Sequence, residues 1–280
     1  MSKIYKALEK VEREKEEKSR TGLSLKDFAE KSVSRKEESP LRYLADRTVE
    51  VGLPSKEETS ILMAPSTSFA EEQFRKLKTQ IFHRSPNPPH SILITSAVPG
   101  EGKTMVAVNL AMAISQEIQK KAVLLDADLR KPGIHLASHR RAKGLSDYLL
   151  DQTHLSEILL NSDTENLWII PAGPSPKKSA ELIGTNRMKE LLTSLREFGD
   201  DTYVIIDSSP ILATSEPTLL SKMVEGVILV VMADRTPRES IRRAIQSIDR
   251  EKIIGVVLNQ KEAKPLDHYY SKHYHGYYTK

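Results

Sequence analysis

Four side chains could do chemistry together in this sequence: Lys103, Asp126, Asp128 and Asp207. Lys103 lies in Ala97-Val98-Pro99-Gly100-Glu101-Gly102-Lys103-Thr104, between the apolar run Ile92-Leu93-Ile94 and a helical stretch that opens at Met105. A strand that stops at a glycine turn and restarts as a helix aims unpaired backbone N–H groups, and the positive end of the helix dipole, at one point. That point is an anion site sized for phosphates. Gly100 and Gly102 let the backbone come close without a Cβ in the way. Lys103 is expected to reach β- and γ-phosphates and the Thr104 hydroxyl to take a Mg²⁺ position, with residues 97–105 lining the nucleotide. The strict phosphate-loop pattern asks for Gly where Ala97 stands. A small residue is tolerable there at negative φ, and Pro99 stiffens the turn.

The carboxylates follow the same logic. Asp207 closes Val204-Ile205-Ile206 and Asp126 closes Ala122-Val123-Leu124-Leu125, so both sit at the ends of apolar runs. A strand-terminal Asp beside a phosphate loop holds Mg²⁺ directly or through water. Asp126 and Asp128, at i and i+2, point the same way if the backbone stays extended. One of them can assist the metal while the other accepts a proton from an incoming hydroxyl; the spacing leaves open which is the base. Arg130, two residues on, is placed to steady phosphate charge.

These groups need a sheet to bring them together. Continuous apolar runs at 91–95, 122–126, 167–171, 203–207, 227–231 and 253–258 read as strands covered on both faces. Helical candidates at 144–150, 154–160, 178–183, 186–198, 215–223 and 237–250 alternate with them. The alternation predicts a doubly wound α/β domain with a mainly parallel sheet over residues 90–260, with its ligand at the carboxyl ends of the strands. Upstream, residues 1–60 read as an amphipathic helix (2–18, with the stripe Ile4, Leu8, Val11) followed by a disordered linker with a brief helix near 41–44. Residues 61–89 read as a helix carrying Phe74, Leu77 and Ile81, ended by Ser85-Pro86. Residues 261–280 form a polar, aromatic tail without the aliphatic residues a core needs.

Composition narrows the field. The chain has 280 residues, 39% hydrophobic and 29% charged, enough for a sizeable core. It has no cysteine, which excludes disulfides, thiol catalysis and cysteine-bound metal. No apolar run reaches the roughly 18–20 residues of a membrane span and the N-terminus lacks a signal-peptide core, so the expected location is the cytoplasm. A net charge of +4 with interspersed signs gives no case for nucleic acid as a partner.

The three acidic and phosphate segments together resemble a known family. The segments 97–104, Asp126-Ala127-Asp128-Leu129-Arg130-Lys131-Pro132 and Ile205-Ile206-Asp207-Ser208-Ser209-Pro210 are similar to the Walker A, A′ and B motifs of bacterial tyrosine kinases (BY-kinases), which serve capsule and exopolysaccharide export. Gly144-Leu145-Ser146-Asp147-Tyr148-Leu149 and Pro171-Ala172-Gly173-Pro174 also look like family segments; Ser209 departs from the family's usual Pro. The resemblance implies the P-loop NTPase fold with a deviant Walker A loop, ATP and Mg²⁺ as cofactors, and protein-tyrosine kinase activity. Glu72, Arg75 and Lys78 match the family's Glu-x-x-Arg-x-x-Arg segment, which assembles subunits into a ring, with Lys in place of the last Arg. Tyr269, Tyr270, Tyr274, Tyr277 and Tyr278 resemble the cluster that these kinases phosphorylate on a neighbouring subunit. The opening Met1-Ser2-Lys3-Ile4-Tyr5 looks like stand-alone autokinases, which implies a separate membrane-bound polysaccharide chain-length regulator as activator, peripheral membrane association through it, and a counteracting tyrosine phosphatase.

The alternative is a ParA/MinD-like ATPase switch of the same broad fold without kinase activity. Those relatives carry a second Lys early in the loop that reaches across a dimer. Val98 and Pro99 hold the matching positions here and cannot do that.

Overall fold

The computed structural model describes residues 69–84, 86–134, 143–199 and 201–260. The helices expected at 2–18 and 41–44, the linker and the tyrosine-rich tail lie outside the described residues.

Described structure begins with α1 (Phe69–Phe82), which places Phe74, Leu77, Ile81 and Phe82 against the core. Then come β1 (Ser91–Ser96), α2 (Lys103–Ser115) and β2 (Lys121–Asp126). The short helices α3 (Leu145–Leu149) and α4 (Leu155–Ile158) lead to β3 (Leu160–Asn161) and β4 (Leu167–Ile170). Next are α5 (Ser179–Ile183), α6 (Asn186–Arg196), β5 (Thr202–Asp207) and α7 (Glu216–Ser221). The domain closes with β6 (Gly226–Met232), α8 (Arg238–Gln246), a 3-10 turn at Arg250–Lys252 and β7 (Ile253–Asn259).

The strands form one seven-stranded sheet in the order β3-β4-β2-β5-β1-β6-β7. Every pairing is parallel except β3 with β4. Successive strand residues face opposite sides, so each apolar run feeds two cores. Ile92, Ile94, Leu124 and Ile205 pack with α1 and α2 on one side. Leu93, Leu125, Val204 and Ile206 pack on the other with Leu145, Leu191, Leu195 and Leu220. The result is a three-layer α/β domain of the doubly wound, mainly parallel kind. Helix α2, apolar almost all round, is the most enclosed: Val106, Leu110, Ala111 and Ile114 are fully buried.

Two expectations shift. The helix expected over 154–160 stops at Ile158, and Leu160 and Asn161 instead pair antiparallel with Ile169 and Trp168, giving β4 a neighbour at the sheet edge. The helix expected over 237–250 ends at Gln246, because the Asp249 side chain accepts the Glu251 N–H and starts the 3-10 turn.

Candidate active site

Strands β1, β2 and β5 end at the same edge of the sheet, and the loop after β1 wraps that edge. Gly100 and Gly102 both sit at φ 86°, a conformation that costs other residues strain. Gly102 is also sterically required. A Cβ there would come within 2.1 Å of the Asn259 side-chain nitrogen, which donates to the Glu101 carbonyl at 2.9 Å. Gly100 is the opposite case, since a Cβ would meet nothing within 4 Å. No side chain caps α2, so the first-turn N–H groups of Lys103, Thr104 and Met105 are left for an anion.

The first half of the loop is framework rather than cradle. Ala97 is buried in the core, and the Val98 N–H donates to Glu101 Oε2 at 2.7 Å. Glu101, 1% exposed, also accepts the Met232 N–H at 3.3 Å and the Thr236 hydroxyl. Ala97, Val98 and Glu101, expected along the nucleotide, make these framework contacts. They pin the loop to the end of β6, while Pro99 and Gly100 stay exposed.

The Lys103 ammonium gathers the carboxylates. It lies 3.2 Å from Asp128 Oδ2, 4.0 Å from Asp207 Oδ1 and 3.5 Å from the Thr104 hydroxyl. Asp126 and Asp207 stand opposite each other on adjacent strands. The three aspartates make different contacts. Asp126 Oδ1 accepts the Asp128 N–H at 3.1 Å, and Oδ2 accepts the N–H groups of Gly133 and Ile134 at 3.0 Å each. The first of these bonds is an Asx turn, so the backbone does not stay extended and the two side chains part company. Asp126 thus uses both oxygens to anchor the loop, while the oxygens of Asp207 stay unengaged among the described residues. Burial, reinforced by Asp207, pushes its pKa up to about 8. Asp128 keeps one oxygen on the Lys131 N–H at 3.1 Å and turns the other to Lys103.

Asp207 is fully buried, and neither oxygen accepts a hydrogen bond of ordinary geometry among the described residues. Burial raises its pKa to about 6, against the pull of Lys103 and the Thr104 hydroxyl. A buried carboxylate with open lone pairs, beside a hydroxyl, is chemically matched to a hard cation such as Mg²⁺. Gly133 closes over this corner: a Cβ on it would lie 2.7 Å from Thr104 Oγ1.

Arg130 goes elsewhere than expected. Its Nε donates to buried Glu216 at 2.7 Å and to the Ser179 hydroxyl at 3.2 Å, and Ser179 in turn donates to Glu216 at 2.6 Å. Burial pushes the Glu216 carboxyl up, but Ser179 and Arg130 outweigh it and hold the pKa at about 2. Arg130 thus ties the acidic loop to α5 and α7 rather than reaching the phosphate loop. Sequence reasoning missed Glu216, Gly133 and Asn259. The Pro132-Gly133 turn pair and the polar end of an apolar strand at Asn259 were the available signals.

Comparison with known proteins decides the family. The model of a family described as an AAA domain matches residues 90–254, more than half of the chain. Tyrosine-protein kinase YwqD of Bacillus subtilis is 34% identical over 222 residues, covering 78% of this chain and 90% of the relative. The chain belongs to the bacterial tyrosine kinase family. The solved kinase domain of Escherichia coli tyrosine kinase ETK matches this BY-kinase with a TM-score of 0.67 and 26% identity, over 80% of this chain and 87% of that one. The succinoglycan biosynthesis transport protein ExoP of Rhizobium meliloti is 28% identical over 232 residues, 80% of this chain but 29% of its own length. As a BY-kinase the protein is a protein-tyrosine kinase, and its fold is that of nucleotide-using P-loop proteins.

The family's departures in this BY-kinase are now placed. Ser209 leaves the turn after Asp207 intact, because Thr95 donates to its carbonyl at 2.9 Å and the Ser208 N–H donates to Ile94 at 3.2 Å. On α1, Glu72 and Arg75 pair with each other at 3.5 Å on the exposed side, whereas Lys78 forms an ion pair with Glu117 beyond the end of α2.

Proposed function

We propose that this kinase transfers the γ-phosphoryl group of ATP to the tail tyrosines Tyr269, Tyr270, Tyr274, Tyr277 and Tyr278 of a neighbouring copy, and thereby regulates exopolysaccharide or capsule biosynthesis and export. The observation that carries the chemistry is the convergence of Asp128 and Asp207 on Lys103. Lys103 and the N–H groups of residues 100–105 hold the β- and γ-phosphates. Thr104 and Asp207 hold Mg²⁺, with Asp126 fixing the loop beside them. When bound, Mg²⁺ supplies charge neutralisation for the phosphates. Asp128 is the base. A triphosphate that draws the Lys103 ammonium away releases Asp128 to take the proton from the tyrosine hydroxyl, while that oxygen bonds to the γ-phosphorus and ADP leaves.

Exposed Glu72 and Arg75 suit transfer between subunits of a homo-oligomeric ring. Lys78, engaged by Glu117, contributes through its own chain. The match to under a third of ExoP supports a division of labour in which a separate membrane-bound polysaccharide chain-length regulator supplies the rest and activates the kinase. Among the described residues no helix is long and apolar enough to cross a membrane. We place the kinase in the cytoplasm, held to the membrane by that regulator and reversed by a tyrosine phosphatase, with no nucleic acid partner.

The test is an anti-phosphotyrosine blot of purified protein with Mg-ATP and its regulator. Tail labelling should appear and be abolished by Lys103→Met and Asp207→Ala. ATP hydrolysis without phosphotyrosine would replace this reading with the ATPase switch. Mixing a Lys103→Met subunit bearing an intact tail with an active, tail-deleted subunit should label the former; labelling confined to single chains rules out the trans-subunit arrangement.

A further inference from the structure

The edge of the sheet opposite the phosphate loop holds a second polar concavity. A cavity of about 360 Å³ opens where β1, β5 and β6 begin, walled by one face of α6 and by residues 222–225 after α7. Its charged lining is Lys189, Arg196, Lys222 and Lys252 against a single carboxylate, Glu225. Glu225 is already spent, since it accepts the His90 N–H at 2.8 Å and pairs with Arg196 at 2.6 Å. Lys252 donates to the Val224 carbonyl at 2.6 Å. Lys189 on α6 and Lys222 just past α7 are exposed, line the same cavity and have no acidic partner among the described residues. Two cations lining one cavity raise the local potential and favour an anion there.

A second observation concerns Thr202, which also lines the cavity. It is 1% exposed, and its hydroxyl has no hydrogen-bond partner among the described residues. A buried hydroxyl without a partner is costly, and it becomes useful when a ligand oxygen completes it. Leu192 and Met223 give the walls apolar area. The volume fits a small molecule, and the concave form suits one better than a flat lipid surface.

We propose that this cavity binds a small soluble anion bearing two or more phosphate groups, between Lys189 and Lys222, independently of the nucleotide at Lys103. The two sites lie at opposite ends of β1, roughly 20 Å apart at about 3.3 Å per strand residue.

The experiment uses inorganic pyrophosphate, titrated by calorimetry into the full-length protein whose phosphate loop is saturated with Mg²⁺ and a non-hydrolysable ATP analogue. One further binding event is expected. Lys189→Gln with Lys222→Gln should weaken it at least tenfold, and Thr202→Val at least threefold. Thr202→Val removes an unpartnered hydroxyl with little change of shape, so its melting temperature should hold or rise, which separates lost binding from lost folding. Absence of a further event, or equal binding in all variants, overturns the proposal. In a parallel arm with phosphatidylglycerol vesicles, sedimentation that depends on Lys189 and Lys222 without pyrophosphate binding would assign the lysines to a membrane surface and overturn it as well.

Discussion

Lys103 and Asp128 come from different segments and meet at 3.2 Å, closer than Lys103 and Asp207 at 4.0 Å. In the proposed mechanism the ammonium that holds phosphate thus restrains the carboxylate that takes the proton. Asp128→Asn should lower the rate of tail phosphorylation by about 10²–10⁴-fold. Nucleotide affinity should change by only about threefold, because Asn cannot accept the proton but leaves the loop in place. Lys103→Met should lose both. Fluorescent-nucleotide binding beside a phosphorylation time course separates the two outcomes.

Asp126→Asn should behave as a folding variant. Its oxygen could keep one set of bonds, but its NH2 would then face either the Asp128 N–H or the N–H groups of Gly133 and Ile134. The expected cost is about 1–3 kcal/mol, read as a lower melting temperature. A variant with full stability and no activity would contradict the anchoring role.

The buried carboxylates make the nucleotide-free protein pH-sensitive in an unusual direction. Burial raises the pKa values of Asp207 and Asp126 to about 6 and about 8 from the ordinary carboxylate value of 3.8. The folded state therefore binds more protons than the unfolded one between about pH 4 and 8, and stability falls as pH rises through that window. Asp207→Asn, which cannot ionise, should raise the melting temperature at pH 8 by roughly 3–6 °C. The gain should vanish near pH 4. A gain that is equal at both values would mean that charge burial is not its cause.

Gly100 and Gly102 share φ 86° but not surroundings. Gly100→Ala should cost only the backbone strain, about 1–2 kcal/mol. Gly102→Ala must also displace the Asn259 side chain from 2.1 Å, so it should cost more and weaken nucleotide binding further. Paired melts and binding curves would show the order.

Arg130→Ala removes the cation beside buried Glu216 and leaves it the Ser179 hydroxyl and weaker neighbours such as Thr214. A loss of about 2–4 kcal/mol is expected. Arg130→Ala with Glu216→Gln should recover part of it, a coupling that a double-mutant cycle measures.

The layers of the fold were legible because each strand is a solid apolar run and each helix keeps its own period. Ile92 and Ile94 on one face, with Leu93 on the other, follow from alternation alone. The two-residue strand at Leu160–Asn161 was not legible, since its pairing comes from Trp168 and Ile169 across a turn rather than from any local preference. In the site, the spacing around Lys103 located the phosphate loop. The division between Asp126 and Asp128 was invisible, because it depends on an Asx turn that swings one carboxylate onto Gly133 and Ile134. The contact of Arg130 was invisible for a similar reason: its partner Glu216 is 86 positions away in the chain.

Asn259 is the last residue of β7, and its amide grips the Glu101 carbonyl inside the phosphate loop. The chain leaves its final strand at the same point where that loop is fastened. A displacement of β7 at Asn259 would therefore be passed through this bond to Glu101 and to the glycines on either side of it.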